Sequence, residues 1–185
     1  MAEQTFPSQF LQSDRIVLRA LTAADVAAVA EYCTDEVIQT WLPLPRPYTE
    51  DAARWFCTEF ASRQLADGHG LVLGIDVEER LAGVIDLKRT DWRARTTEIG
   101  YWTAPWARRR GVMRRSFSLL SRWAIETQDF ARVEVQVAIG NVASQKVAEA
   151  AGFTREGILR NAGYIHTGRV DLIVYSIVDS DRSEL

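Results

Sequence analysis

The stretch RVEVQVAI, residues 132–139, places a β-branched apolar residue at every second position: Val133, Val135, Val137 and Ile139. This period of two puts the four side chains on one face of a β-strand, and no helix would group them in this way. A strand with one apolar face must bury that face against another layer of structure. The segment therefore predicts a buried strand in a layered domain. The strands and helices that pack against it must come from the rest of the chain.

Five other stretches have strand-like patterns, with apolar residues at alternate positions in most of them. They read RIVLRAL (15–21), LVLGIDV (71–77), LAGVIDL (81–87), TTEIGYWT (96–103) and RVDLIVYSI (169–177). Because only three charged residues separate the second stretch from the third, that pair predicts a β-hairpin.

Capping residues and helical spacing predict four helices between these strands. They begin at Thr22, Thr49, Val112 and Asn141 and end near Cys33, Leu65, Thr127 and Gly152. The first has Asp25 three residues after Thr22, as in a capping box. The segment between the first two helices is rich in proline and cannot be regular. Strands and helices in this order predict an α/β domain with a mixed sheet, which we expect to span residues 1–185 as one unit.

The composition is that of an ordinary globular domain, with 47% hydrophobic and 25% charged residues and a formal net charge of -3. The N-terminal residues lack a signal-peptide pattern and no apolar run is long enough to span a membrane, so we expect a soluble, cytoplasmic protein without a membrane partner. Cys33 and Cys57 form no CxxC pair and are interpreted as buried structural thiols. His69 and His166 lie far apart without companion ligands, so no metal site is expected.

The stretch PWARRRGVMRRSF, residues 105–117, holds five arginines around Gly111 at a predicted helix start. Positive side chains oppose the partial positive charge of a helix N-terminus, so helix stability does not explain them. Free N–H groups, a glycine that lets the main chain come close and cationic side chains together favour an anion such as a pyrophosphate. A solvated arginine face is the alternative interpretation. The Walker and GxGxxG motifs are absent, and nucleic acid is disfavoured because the chain is acidic overall and no aromatic residue interrupts the arginines.

Three stretches together resemble the GNAT superfamily of acetyl-CoA-dependent N-acetyltransferases, in its RimJ/RimL-like branch. EIGYWTAPWARRRGVM (98–113) resembles the strand and coenzyme A loop of that family, whose pattern Q/R-x-x-G-x-G/A falls on residues 108–113. NVASQKVAEAAGFTREGILR (141–160) resembles its NxxSxxVxExxGFxxEGxLR stretch, and WLPLPRPYTEDAARWF (41–56) resembles the segment that lines the acceptor pocket. The resemblance covers about residues 14–178 and implies a mixed, mostly antiparallel central sheet of about seven strands flanked by helices.

The resemblance also implies a site for acetyl-CoA, with no metal. The main chain of Tyr101 and Thr103 would bind the pantetheine arm, Asn141 would reach the coenzyme, and Ser144 would lie near its sulfur. The residues implied to form the pyrophosphate loop, mostly through their N–H groups, are Arg108, Arg109, Arg110, Gly111, Val112, Met113 and Arg114. Met113 departs from the pattern, which has Gly or Ala there. A methionine that points into the core is compatible, because the implied contact is through the main chain.

Acetyl transfer from a thioester to an amine needs a neutral amine and a stabilised thiolate. Glu98 is a candidate base acting through water, with a solvent-facing glutamate as the alternative. Ser144 is a candidate hydrogen-bond donor to the thiolate, with a helix residue bonded to main chain as the alternative. Tyr164 is a candidate acid, with packing or exposure as the alternative, because Ala148 stands where many members of the superfamily have a tyrosine. No cysteine lies in the inferred site, which favours direct transfer.

Trp41 and Leu42 are expected to line the acceptor pocket, with a packed hinge as the alternative. The predicted function is acetyl transfer from acetyl-CoA to a primary amine, foremost a protein N-terminal α-amine, whose pKa of roughly 7.7 to 8.0 leaves part of it neutral at pH 7. A small-molecule amine or antibiotic as acceptor and a coenzyme A-binding module without catalysis are the alternatives. A homodimer is expected only by analogy with relatives.

Overall fold

The structure is a computed structural model that describes residues 4–7 and 10–184, the last three of them by main chain alone. These residues form one sheet of eight strands with helices against it. The strands are β1 (Leu11–Ser13), β2 (Ile16–Ala20), β3 (Leu71–Val77), β4 (Arg80–Asp91), β5 (Thr96–Thr103), β6 (Arg132–Ala138), β7 (Thr154–Ile165) and β8 (Gly168–Val178). Their order across the sheet is β1-β2-β3-β4-β5-β6-β8-β7.

Every neighbouring pair of strands is antiparallel except β5 and β6, which are parallel. The mixed, mostly antiparallel sheet implied by the sequence is confirmed, with eight strands in place of about seven, and β3 and β4 form the predicted hairpin. β1 is too short to show a period. Most side chains of β7 are exposed on both of its faces, so it lacks the alternation that marks a half-buried strand.

Six α-helices are present in the described chain. They are α1 (Val26–Tyr32), α2 (Glu36–Trp41), α3 (Glu50–Arg54), α4 (Ala61–Ala66), α5 (Val112–Glu126) and α6 (Val142–Ala150). A π-helical stretch, Trp55–Phe60, joins α3 to α4, so the two form the continuous helical run that the sequence predicts from Thr49. The predicted capping box of Thr22 and Asp25 is confirmed and opens a short 3-10 turn before α1.

Helix α2 was not predicted from the sequence. Asp35 caps it, because its side chain accepts hydrogen bonds from the N–H groups of Val37 and Ile38. The helix ends at Trp41, directly before the proline-rich segment, so its six residues gave too short a periodic pattern to stand out. The cap residue followed by an acidic first turn is the signal that could have found it.

The two faces of the sheet carry different helices. The Trp102 ring contacts Tyr32 of α1 with ring centres 6.3 Å apart, and the face that carries Trp102 is called the front face here. The next ring back along β5, that of Tyr101, contacts Phe117 of α5 at 4.9 Å, and this is the back face. Because successive side chains of a strand point to opposite faces, β5 contributes alternately to both layers.

The core lies mainly between the back face and α5. Val133, Val135 and Val137 are all buried, as the alternation of β6 predicts. The expectation for Ile139 is wrong: β6 ends at Ala138, and Ile139 is 48% exposed in the turn that follows. Cys33 and Cys57 are both buried and free, which confirms their interpretation as structural thiols.

Candidate active site

The parallel strands β5 and β6 separate toward their carboxyl ends. Their pairing ends where Glu98 lies opposite Glu134. Beyond this point β5 stays on β4 and β6 stays on β8, so residues 99–103 and 135–138 face each other across a gap. The main-chain edges that border the gap pair with no strand in the described part of the chain, which leaves N–H and C=O groups available to a ligand.

A cavity of about 1010 Å³ occupies this gap. Side chains from both faces of the sheet line it, including those of Trp102 and Gln136 on the front face and of Tyr101 and Val135 on the back face. The predicted site residues that line it are Trp41, Leu42, Tyr101, Thr103, Arg108, Arg109, Gly111, Val112, Met113, Arg114, Asn141 and Ser144. The structure thus brings most of the predicted coenzyme and acceptor residues to one cavity that opens through the sheet.

The arginine loop is shaped by two residues with left-handed main-chain conformation. Gly111 has φ of +70°, and Arg109 has φ of +61° although it is not a glycine. Left-handed residues between ordinary ones turn successive N–H groups toward a common point, as in anion-binding nests. Helix α5 follows at once, and its first main-chain hydrogen bond runs from Arg115 N–H to the Gly111 carbonyl. The N–H groups of residues 112–114 therefore remain for an anion at the positive end of the helix.

The arginine side chains of the loop have different partners. Both terminal nitrogens of Arg108 donate to the carboxylate of Asp35, the cap of α2. Arg110 is exposed and its Cζ lies 5.8 Å from the centre of the Trp106 ring, outside the cavity. The prediction that the arginine side chains of this loop bind a phosphate together therefore does not extend to Arg110. Arg108, Arg109 and Arg114 all line the cavity, but the charge of Arg108 is paired with Asp35 and ties the loop to α2.

The start of α6 forms the opposite corner of the cavity. Asn141 caps the helix, since its Oδ1 accepts the Ser144 N–H at 3.1 Å. The cap uses only the amide oxygen, so the amide nitrogen of Asn141 is the group that can meet a ligand. One turn after Ser144, Ala148 is fully buried, so this position contributes no proton donor.

The hydroxyl of Tyr101 is buried beside Ser144. It lies close enough to Ser144 for the two hydroxyls to interact, yet it makes no hydrogen bond of regular geometry with the described residues. Burial raises the pKa of Tyr101 to about 12, against a smaller lowering by Ser144. The phenol is therefore protonated at neutral pH, and its O–H is an unused donor at the cavity.

Glu98 lies at the closed end of the gap and is buried. Its carboxylate forms an ion pair with Lys88 Nζ at 3.1 Å and accepts a hydrogen bond from Arg89 Nη1 at 2.8 Å, and its side chain is 6% exposed. The solvent-facing alternative for this residue is therefore wrong. Two cations neutralise the carboxylate, and Glu98 itself does not line the cavity, although Lys88 does. The role of Glu98 as a base stays a prediction.

Asp86 of β4 was missed by the sequence reasoning. It lies directly opposite Gly100 of β5, and a Cβ atom placed on Gly100 would be 2.4 Å from Asp86 Oδ1. The carboxylate thus occupies the space that the glycine leaves, next to a residue that lines the cavity. Burial raises the pKa of Asp86 to about 6, with Glu98 adding to the rise and Lys88 opposing it. An aspartate inside an otherwise apolar strand pattern was the signal available in the sequence.

Helix α2 and the turn after β6 close another side of the cavity. The α2 residues that line it are Val37, Ile38 and Trp41, followed by Leu42. Trp41 also packs on Gly140, where an added Cβ would lie 3.1 Å from the ring. The proline-rich loop is fixed to α2 because Arg46 Nε donates to Gln39 Oε1 at 2.7 Å. Trp41 and Leu42 are therefore both packed and cavity-lining.

Tyr164 lies outside this assembly. It belongs to β7 and is 63% exposed, so the structure shows the exposed alternative and does not bring it to the cavity. In the described residues, no cluster of three or more His, Cys, Asp or Glu side chains is arranged to hold a metal ion. Nor does any helix there have the length and apolar character needed to cross a membrane.

A sheet that opens beside an anion-binding helix start suits a long, phosphate-bearing thioester, and this combination places the chain among the acyl-coenzyme A-dependent transferases. The family is shown by sequence: the model of the acetyltransferase (GNAT) domain matches residues 15–154. The chain belongs to this family and is an acetyl-CoA-dependent N-acetyltransferase.

Similar proteins agree with this assignment. The chain is 30% identical over 169 residues to YdaF of Bacillus subtilis (strain 168), which is provisionally named a ribosomal N-acetyltransferase; the match covers 90% of this chain and 92% of YdaF. It is 28% identical over 114 residues to the ribosomal-protein-serine acetyltransferase of Escherichia coli (strain K12), covering 61% of this chain and 64% of that protein.

Solved structures share the fold. RimL, a ribosomal L7/L12 α-N-protein acetyltransferase in complex with coenzyme A, matches with a TM-score of 0.84 at 23% identity over 94% of this chain and all of that one. RimJ of Mycobacterium smegmatis, in complex with a coenzyme A disulfide, has a TM-score of 0.84 at 18% identity, covering 94% of this chain and 87% of its own. The implied GNAT fold is confirmed.

The residues present fit acetyl-CoA. The N–H groups at the start of α5 suit a pyrophosphate, and the unpaired edge of β5 suits the amides of a pantetheine arm. Met113 is 4% exposed, so its side chain enters the core while its main chain borders the cavity. The departure from the loop pattern at this position therefore leaves the cradle intact.

Proposed function

We propose that this acetyltransferase acetylates the N-terminal α-amine of a protein, and that the amine meets the thioester in the gap between β5 and β6. The observation that carries the proposal is the cavity lined from both faces of the sheet. A donor bound along the back face, where α5 begins, leaves the front-face opening to an acceptor chain. The names of the relatives, which refer to ribosomal proteins, support a protein acceptor.

The chemistry of the amine supports the same acceptor class. An α-amine has a pKa of roughly 7.7 to 8.0, whereas a lysine amine has one near 10.4. At neutral pH a sizeable fraction of the first is already a nucleophile. A site with a weak carboxylate base is therefore sufficient for an α-amine and poorly suited to a lysine.

The coenzyme is held mainly by main-chain groups in this proposal. Bound acetyl-CoA supplies an acetyl group activated as a thioester. The N–H groups of Arg109 and of residues 111–114 bind pyrophosphate oxygens, with Arg114 adding charge from the side. The main chain of Tyr101 and Thr103 pairs with the pantetheine amides, and the Asn141 amide nitrogen donates to the coenzyme.

The thiolate that leaves is stabilised at the start of α6. The Ser144 hydroxyl donates a hydrogen bond to the developing negative charge on sulfur. The Tyr101 hydroxyl, which is buried beside Ser144 and protonated, is a second hydrogen-bond donor at the same place. Together these two hydroxyls take the role of the tyrosine that Ala148 replaces. Ser144→Ala should lower kcat about tenfold with little change in acetyl-CoA affinity, because one neutral hydrogen bond of transition-state value is lost.

A thermal-shift titration with acetyl-CoA, followed by thiol release with defined amines, tests the function. A ligand that binds the folded state raises the melting temperature, and release of free thiol reports transfer. The acceptor panel holds Ala-, Ser- and Met-starting peptides, the same peptides N-formylated as matched controls, polyamines and aminoglycosides. Turnover of free but not formylated peptides is expected. Turnover of only polyamines or aminoglycosides would contradict the protein acceptor, and stabilisation without any turnover would indicate a coenzyme A-binding module.

The same proposal includes a homodimer and a cytoplasmic site of action, where ribosomal proteins and acetyl-CoA are both found. Light scattering behind size exclusion measures the mass directly. A mass of one chain, near 20.9 kDa at micromolar concentration, would contradict the dimer without affecting the proposed activity.

A further inference from the structure

We propose that Asp86, and not Glu98, receives the proton that the acceptor amine loses. The inference rests on the proposed function and names a further residue for its reaction.

Position comes first. Asp86 and Gly100 are direct partners across β4 and β5, so the Asp86 side chain points to the front face, with Trp102 and Glu98. Its oxygens occupy the volume over Gly100, at 2.4 and 3.2 Å from where a Cβ would be. Gly100 is the second residue beyond the last paired position of β5, at the border of the gap. Gly100 lines the cavity and Asp86 itself does not, so the Asp86 carboxylate lies next to a residue of the cavity wall, on the front face.

The two carboxylates of this region differ in their partners. Glu98 is neutralised by ion pairs with Lys88 and Arg89. Among the described residues no other residue donates a hydrogen bond to Asp86 or forms an ion pair with it, although the residue is largely enclosed by the sheet. The charged groups that face Asp86 are Lys88 on its own strand and Glu98 on β5. Asp86 is thus the carboxylate whose lone pairs remain free for a proton.

The proton affinity of Asp86 suits this task. Burial raises its pKa to about 6, so it is ionised at neutral pH and is a stronger base than an ordinary aspartate. The pKa of Asp86 is therefore only about two units below that of an α-ammonium, which is about 8. A proton transfer within the site can overcome this difference. The acceptor nitrogen forms its bond to the acetyl carbon, the carbon–sulfur bond breaks with both electrons going to sulfur, and the nitrogen's proton ends on an Asp86 oxygen.

The first test is Asp86→Asn, assayed on whichever amine the wild-type enzyme acetylates. We expect kcat to fall about 100-fold, the lower range for loss of a general base, because an α-amine is partly neutral without help. The Kd of acetyl-CoA should not change. The acidic limb of the wild-type kcat profile, near pH 6, should disappear in the variant. Gly100→Ala should reproduce the loss of kcat, because its Cβ would displace the carboxylate.

Two further variants separate a proton acceptor from a structural residue. Removing the negative charge in Glu98→Gln should lower the pKa of Asp86 and move the acidic limb to lower pH. Removing the positive charge in Lys88→Gln should raise that pKa and move the limb to higher pH. Opposite shifts are expected only if Asp86 itself titrates in the rate.

The outcomes are distinguishable from failure of the proposed function. A wild-type enzyme that acetylates an amine, with an Asp86→Asn variant that keeps its rate and its acidic limb, would overturn the inference alone. Loss of the limb in Glu98→Gln instead would assign the proton to Glu98. A wild-type protein that acetylates no amine in the panel would overturn both proposals.

Discussion

The two walls of the cavity are built in different ways. The coenzyme wall, residues 108–114 at the start of α5, offers mainly main-chain N–H groups set by two left-handed residues. The acceptor wall is formed by α2, Leu42, Lys88 and Gly100, with the Asp86 carboxylate packed over Gly100, so it combines groups from a helix and two strands. The coenzyme wall therefore depends on main-chain shape and tolerates changes of side chain, as Met113 illustrates. The acceptor wall depends on the identity of each residue and on contacts between distant segments.

The largest effect should come from distorting the main chain of the coenzyme wall. Gly111→Val puts a β-branched residue at φ of +70°, which costs about 1–3 kcal/mol and should distort the turn that aims the neighbouring N–H groups at the anion. The added Cβ has no neighbour closer than 3.8 Å, so the fold should survive. We expect the Kd of acetyl-CoA, measured by calorimetry, to rise at least about 100-fold, as for several charge-assisted hydrogen bonds lost together.

Gly152→Val is the matched control for this prediction. Gly152 also has a positive φ, +87°, has open space where a Cβ would lie, and does not line the cavity. The two variants should have similar losses in melting temperature. An equal loss of acetyl-CoA affinity in both would mean that backbone strain alone weakens binding, and that the coenzyme wall is not at Gly111.

Next in size is the removal of an aromatic side chain from the acceptor wall. Trp41→Ala should raise the KM for a peptide acceptor about tenfold, equivalent to about 1.4 kcal/mol of lost apolar contact, and leave the Kd of acetyl-CoA unchanged. Trp55→Ala, which removes a tryptophan that is 47% exposed and outside the cavity, is the control. If Trp41→Ala weakens acetyl-CoA as strongly as the acceptor, the division between the two walls breaks down at α2.

The coenzyme wall was largely predictable from the sequence, because its donors are consecutive residues and a glycine before a helix is visible in one stretch. The acceptor wall was not, because its contacts join segments that no local pattern relates. The Arg108 pair with Asp35 spans 73 positions, and the fit of Asp86 over Gly100 depends on strand register. For the same reason the sequence leaves a solvent-facing Glu98 open as an alternative, although its two cations come from the neighbouring strand.

The fold follows the same rule. Strands with one buried face, such as β6, and a helix with a continuous apolar side, such as α5, were predicted within a few residues. β7 was missed as a separate strand because most of its side chains are exposed, so neither of its faces is marked by apolar residues. The sequence indicates elements that bury one apolar face and gives little sign of those held mainly by main-chain hydrogen bonds to a neighbour.

A smaller effect should come from the contact that joins the two walls. Asp35 caps α2 and binds Arg108; burial raises the pKa of its carboxyl, but Arg108 and the α2 N–H groups outweigh this and lower it. If Arg108 mainly positions α2, then Arg108→Gln and Asp35→Asn should each raise the acceptor KM about three- to fivefold, the value of a partly exposed ion pair. Their double variant should be no worse than either one. A large rise in the Kd of acetyl-CoA in Arg108→Gln alone would instead place this side chain on the phosphate.

The smallest effects distinguish two exposed arginines of the same run. Arg114 lines the cavity, whereas Arg110 lies over Trp106 and outside it. Arg114→Gln should weaken acetyl-CoA binding about threefold at low ionic strength and less at high salt, because screening reduces a solvent-exposed pairing. Arg110→Gln should change the Kd by less than about twofold, the range of a surface charge without a partner in the site. Calorimetry of both variants at two salt concentrations decides the point. Equal, salt-sensitive losses would show that the whole arginine run acts as a diffuse positive field, and that the N–H groups of the loop contribute less than the coenzyme wall described here requires.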